Sequence, residues 1–239
     1  MPVPLSRRSV PGVFVFLVLV VGPAWARPVA LPRRIPPPER VRLQEVADAA
    51  ALSTRVEAPP FPARRELFEF LLDNPEFATH VTRTLKLARY RIWPTREGLF
   101  LDDGWGAKGH FGLVHAANGI RVMHARGIFE QRILPDIKGE AVVIIEYTAR
   151  PDAQGRSQIA AAVSGYVKLD NPMFAIASRL AGSLAADKAE LEARRLVRVF
   201  ARTSRAVEDD PGGVYEKLRR RPDVPARELD SFRRLLGLP

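Results

Sequence analysis

Between Ala88 and Leu169 the chain repeatedly alternates apolar and polar residues with a period of two, and from Pro172 to Val207 the period lengthens to that of a helix. The alternating stretches predict strands over Arg89–Pro94, Gly98–Leu101, His110–Ala117, Ile120–Gln131, Ala141–Ala149 and Gln158–Leu169. The helix is expected to bury Met173, Ile176, Ala177, Leu180 and Leu184, then Leu191, Leu196 and Phe200, with Ala181-Gly182-Ser183 softening its first half. An antiparallel sheet followed by one long amphipathic helix predicts an α+β fold in which the sheet wraps the helix and can enclose an apolar space.

Asn118-Gly119 predicts a two-residue hairpin, since both residues tolerate the positive backbone angles of a type I′ turn. The resulting register pairs Ala117 with Ile120, His115 with Val122, Leu113 with His124 and Phe111 with Arg126. Those side chains share one face, read as the inward one. The opposite face carries His110, Gly112, Val114, Arg121 and Met123. In the last strand Ile159, Ala161, Val163, Gly165, Val167 and Leu169 point inward, and the small Ala161 and Gly165 leave room there.

Before the strands, Val41–Leu52 reads as a short helix and Ser53–Glu57 as a first strand stopped at Ala58-Pro59-Pro60. Pro62–Leu87 reads as two helices. Leu67, Phe68, Leu71 and Leu72 form the stripe of the first, and Asp73-Asn74-Pro75 separates it from the second, with Asn74 as cap. Two short basic helices, Val214–Arg220 and Pro225–Leu236, follow Asp209–Gly213 and are expected to dock on the outside.

The first 26 residues have the form of a secretory leader: Arg7 and Arg8, the apolar run Gly12–Val21, then Ala24-Trp25-Ala26 as a small-x-small cleavage site. The run is about half the roughly 20 residues of a membrane-spanning helix. A periplasmic or extracellular protein is therefore expected, with an uncleaved anchor as the alternative. Arg27–Pro38, with five prolines, reads as an extended linker. The expected organisation is a leader over 1–26, a linker over 27–40, a domain over 41–207 and a basic helical extension over 208–239.

The chain has no cysteine, which excludes disulfides, thiolate chemistry and lipid attachment at a cleavage-site Cys. Its net charge is +10. For an exported protein this directs attention to an anionic membrane surface rather than to nucleic acid, while an arginine-rich solvated surface accounts for the charge equally well.

Val56-Glu57-Ala58-Pro59-Pro60 leads into Leu67-Phe68 and Leu71-Leu72-Asp73-Asn74-Pro75, the strands follow, and Asp170-Asn171-Pro172 opens the terminal helix. This order, over about Ser53–Val207, resembles the START-like or SRPBCC superfamily. The resemblance implies a helix-grip fold, with about six or seven strands around a C-terminal helix and a hydrophobic ligand held between them. It carries no catalytic residue with it.

Candidate ligand contacts are Trp105, Phe111, Leu113, His115, Val122, His124, Tyr147, Ala161 and Gly165. Tyr147 shares the parity of Ala141, Val143 and Ile145, which places a hydroxyl on an apolar wall. His115 and His124 would be diagonal neighbours, and a metal there needs a third ligand, for which Glu130 and Glu146 are nearest in sequence. Two pocket or core histidines without a metal are the simpler reading, and nothing in the sequence calls for a cofactor. Asp102–Gly109 (DDGWGAKG) lacks the order of a phosphate-binding loop and reads as a mobile hairpin carrying Trp105. A lipid or other hydrophobic small molecule is thus the expected partner. A cyclase-like or hydrolytic enzyme using His115, His124 or Asp103 stays open, as does a solid, ligand-free envelope protein.

Overall fold

The computed structural model describes residues 29–117, 119–130, 136–171, 173 and 183–239. The leader, Asn118, Pro172 and the expected helical positions Ile176, Ala177, Leu180, Ala181 and Gly182 lie outside the described residues. Eight strands form one antiparallel sheet: β1 (Leu52–Glu57), β2 (Phe61–Pro62), β3 (Arg91–Thr95), β4 (Gly98–Asp102), β5 (Ala107–Ala117), β6 (Ile120–Phe129), β7 (Ile137–Pro151) and β8 (Ser157–Leu169). From β3 to β8 each strand pairs with the next, and β1 and β2 both pair with β8. The two-residue β2 follows directly on Pro59-Pro60, where the prolines suggest only a stop. Six helices accompany the sheet among the described residues: α1 (Pro37–Asp48), α2 (Arg65–Asp73), α3 (Pro75–Thr84), α4 (Ser183–Asp209), α5 (Pro211–Arg219) and α6 (Ala226–Leu236).

The sheet is covered on both faces. On the inner face Ile145, Tyr147, Ile159, Ala161 and Val163 pack with Phe61, Phe68 and Leu72 and with Val197 of α4. On the outer face Val122, Val142 and Ile144 pack beneath Leu43 and Val46 of α1 and beneath Ile35. The proline-rich segment is therefore no free tether over its described part. Pro37 starts α1, where a missing N–H costs nothing because the first N–H groups of a helix have no internal partner. Val29, Leu31 and Ile35 pack against the sheet.

That second cover reverses the expected facing of β6. Val122 and His124 lie on the outer face, whereas Arg121, Met123 and Ala125 point inward, because Val122 pairs with Ile144, and Met123 with Val143. The hairpin register holds at Ala117–Ile120 and His115–Val122, but a bulge at Val114 shifts it by one, so Leu113 pairs with Met123, Gly112 with His124 and Phe111 with Ala125. The extra residue flips the alternation. Phe111 consequently faces inward while His115, Val122 and His124 do not.

A row of glycines crosses the sheet, Gly109 opposite Gly127 opposite Gly139. A Cβ on Gly109 would lie 2.6 Å from the Gly127 Cα, and one on Gly127 would lie 2.9 Å from the Gly109 Cα. In a flat sheet a Cβ stands clear of its neighbour's backbone, so these approaches show the sheet curling over its inner face along the row.

The C-terminal helices are part of the core rather than an outer appendage. Leu67 and Leu71 of α2, with Phe77 and Val81 of α3, close around Val214, Leu218, Phe232 and Leu236. Helix α2 thus buries two adjacent stripes, Phe68/Leu72 toward the sheet and Leu67/Leu71 toward α5 and α6. Each such side chain contributes about 1.5–3 kcal/mol on burial. Arg64 adds polar ties, donating to Glu208 and to the Leu235 carbonyl. Asn74 does not cap α3; its amide donates to the Phe70 carbonyl and closes α2 instead.

Candidate functional site

Beyond the packed part of the inner face, toward the glycine row, the sheet and α4 part to leave a cavity of about 570 Å³. Its floor is the inner face of β5–β8, with Phe111, Met123, Ala125 and Val143. Leu72 and Ile92 form one wall, and Leu196 and Phe200 of α4 form the roof. Gly109, Gly127 and Gly139 line the curled end as bare backbone.

Of the candidate ligand contacts read from the sequence, Trp105 and Phe111 line this space, and so does Asp103, weighed there as a catalytic group. Ala161 and Gly165 do not. Ala161 is buried in the solid part of the inner core, and a Cβ added at Gly165 would meet the Thr54 Cγ2 at an ordinary contact of 3.6 Å. Tyr147 is also in that core: its hydroxyl donates to Glu69 of α2, and the guanidinium of Arg121 sits 5.6 Å from its ring centre. Burial and the Glu69 carboxylate together raise its pKa strongly. Leu113 is 40% exposed, and Val122 is sealed under α1. Met173 and Leu191, expected to be buried, are 78% and 54% exposed.

His124 lies against a smaller outer cleft with Gly112, Leu113 and Val114. Its Nε2 is 3.0 Å from Glu140, which Arg42 of α1 also approaches at 3.7 Å. Burial pushes the Glu140 carboxyl up, but the His124 hydrogen bond and the charges of His124, Lys168 and Arg42 outweigh it and hold the pKa below the usual range. The carboxylates considered as a third metal ligand are engaged elsewhere, Glu130 with Lys108 and Glu146 with Arg55. Among the described residues no group of three or more His, Asp or Glu converges as a metal site.

The Asp102–Ala107 turn is ordered by its own aspartates. Asp102 accepts from the Gly104 N–H, and Asp103 accepts from those of Trp105 and Ala107. Gly104 and Gly106 supply the positive φ values of 77° and 119° that this path requires. Both carboxylates therefore serve the backbone, and Trp105 is held out toward α4, where Arg195 lies 4.7 Å over its ring. Tyr90, absent from the sequence-derived set, lines the cavity too. Burial raises its hydroxyl pKa, and Thr82 as hydrogen-bond partner offsets this in part. It falls within the predicted strand Arg89–Pro94 but precedes β3 in the structure, and nothing local singles it out as a cavity residue.

No family model matches the chain, and no curated protein matches it. Among solved structures, a hypothetical protein of Helicobacter pylori is similar over 64% of this chain and 86% of its own, at 12% identity and a TM-score of 0.38. A protein of Thermus thermophilus is similar over 65% of this chain and 98% of its own, at 11% identity and a TM-score of 0.31.

Proposed function

We propose that this chain is an exported binding protein of the START-like, helix-grip kind that shelters a lipid or another hydrophobic small molecule between its sheet and α4. The observation that carries the reading is the cavity of about 570 Å³ with walls of Leu72, Phe111, Met123, Val143 and Phe200. That volume falls within the ~300–1,000 Å³ common for small-molecule sites. Each methylene of a bound chain would gain about 0.8 kcal/mol on leaving water, before ordering costs. Support for binding over turnover comes from the polar groups: Asp103 is committed to its turn and Glu140 to His124. Export rests on the leader sequence alone. Among the described residues no helix is long and apolar enough to cross a membrane.

The test is uptake of a fluorescent fatty acid by the protein and by Ala125→Phe, whose ring would occupy the cavity floor. Loss of uptake with unchanged folding supports the reading. Unchanged uptake would move the site elsewhere.

A further inference from the structure

Five arginines, Arg194, Arg195, Arg198, Arg202 and Arg205, fall in one stretch of α4, and no acidic residue stands between Glu192 and Glu208. All five are exposed. Arg194 pairs with Glu190, and Arg195 lies over Trp105, whereas Arg198, Arg202 and Arg205 make no ion pair with any described residue. Their spacing places Arg194, Arg198, Arg202 and Arg205 on one stripe of the helix, opposite the buried Val197, Thr203, Ser204 and Val207. Leu191 begins the same stripe three residues earlier. From Leu191 to Arg205 it runs about 21 Å.

The apolar groups at the start of this stripe are out of place for a surface that merely stays in water. Leu191 is 54% and Trp105 48% exposed, and Trp105 also borders the cavity. Three arginines in a row without an ion pair among the described residues need an extended anionic surface, and an adjoining tryptophan and leucine need a boundary where hydrocarbon begins. A bilayer with anionic headgroups offers both together. A nucleic acid matches the charge but offers Leu191 nothing.

We propose that the arginine stripe of α4 docks on an anionic phospholipid bilayer, with Leu191 and Trp105 entering its interface beside the cavity. The purpose of docking rests on the lipid-binding reading above; the docking itself does not. It is tested by sedimentation with phosphatidylcholine vesicles, with and without phosphatidylglycerol, at low and high salt. The protein should bind the anionic vesicles, release them in high salt and leave the neutral ones largely unbound. The double variant Arg198→Gln/Arg202→Gln should lose about 30-fold in vesicle partition, each arginine contributing roughly 1 kcal/mol near such a surface. Neither residue lines the cavity, so fatty-acid uptake from solution should be unchanged, and Leu191→Gln should weaken low-salt binding to anionic vesicles without changing its salt dependence. Equal binding to neutral vesicles, an unchanged double variant, or displacement of vesicles by an oligonucleotide would overturn the proposal. Vesicle binding without uptake would remove the cavity reading and leave the docking intact.

Discussion

Adding one methyl group at two glycines of the same hairpin should give opposite results. Gly127 lies in the central glycine row, and an alanine Cβ there would press on backbone alone, the Lys108 carbonyl and the Gly109 Cα at 2.9 Å. No side-chain rotation relieves this, so β5 and β6 must separate locally. Overpacking of this kind costs about 1–3 kcal/mol, and each weakened ladder hydrogen bond adds about 0.5–1.5 kcal/mol. Against this, alanine gains roughly 0.5–1 kcal/mol over glycine from the unfolded chain. With one such bond weakened, Gly127→Ala should therefore lose about 2 kcal/mol on balance. At Gly112 nothing lies within 4 Å of an added Cβ, and Gly112→Ala should be neutral or slightly stabilising. Urea unfolding would separate the two midpoints by about 1 M or more at similar slope. Equal midpoints would refute the claim that the sheet curls at this row, and with it the explanation of why the cavity opens there.

Arg121 is 4% exposed and donates to Asp73 over 2.6 and 3.0 Å. Asp73→Ala should cost about 2–3 kcal/mol by stranding a buried charge, discounted for the partial exposure of Asp73, and Arg121→Met in the same chain should recover part of it. A double-mutant cycle with no coupling would contradict this. Burial holds the His80 imidazole below its ordinary value of 6.5; Asp223 opposes the shift, and Arg221 and Arg83 add to it. The folded pKa is thus below the unfolded one, so this stabilisation is complete above about pH 6.5 and is lost as pH falls toward the folded pKa. His80→Gln should flatten stability between about pH 8 and 5 in urea titrations, and identical slopes would contradict the burial argument. If the leader directs export, N-terminal sequencing of the protein from the envelope fraction should begin at Arg27, and retention of Met1 there would favour an anchor.

The strands are legible in the sequence because the period-two alternation is clean, and the break between α2 and α3 because Asn74-Pro75 is strong punctuation. Which face is inner is not legible. Ile120 and Val122 are more apolar than Arg121 and Met123, and only the docking of α1 and Ile35 shows that the apolar side is the outer one. The Val114 bulge likewise leaves no mark in the local pattern. Gly109 falls in the predicted Asp102–Gly109 loop and Gly139 before the predicted Ala141–Ala149 strand; their alignment with Gly127 into one row exists only after pairing. Trp105 can be picked out because an aromatic turn is a local feature, whereas Phe111 reaches the cavity only because the Val114 bulge separates it from the face of His115 and Val122. Leu196 and Phe200 are legible as buried helix positions, but that they roof a cavity which Tyr90 also lines depends on how α4 lies across the sheet.

Native mass spectrometry of the protein, purified without detergent from the envelope of cells producing it, shows whether the cavity carries a ligand. The wild type should carry one hydrophobic molecule, recoverable by organic extraction, and Ala125→Phe should be folded but empty. This variant should also escape the ~1–3 kcal/mol destabilisation that overpacking a filled core would cost. A wild-type protein without bound molecule that also takes up no fatty acid or extracted lipid, together with a destabilised Ala125→Phe, would contradict the cavity reading and describe a solid core instead.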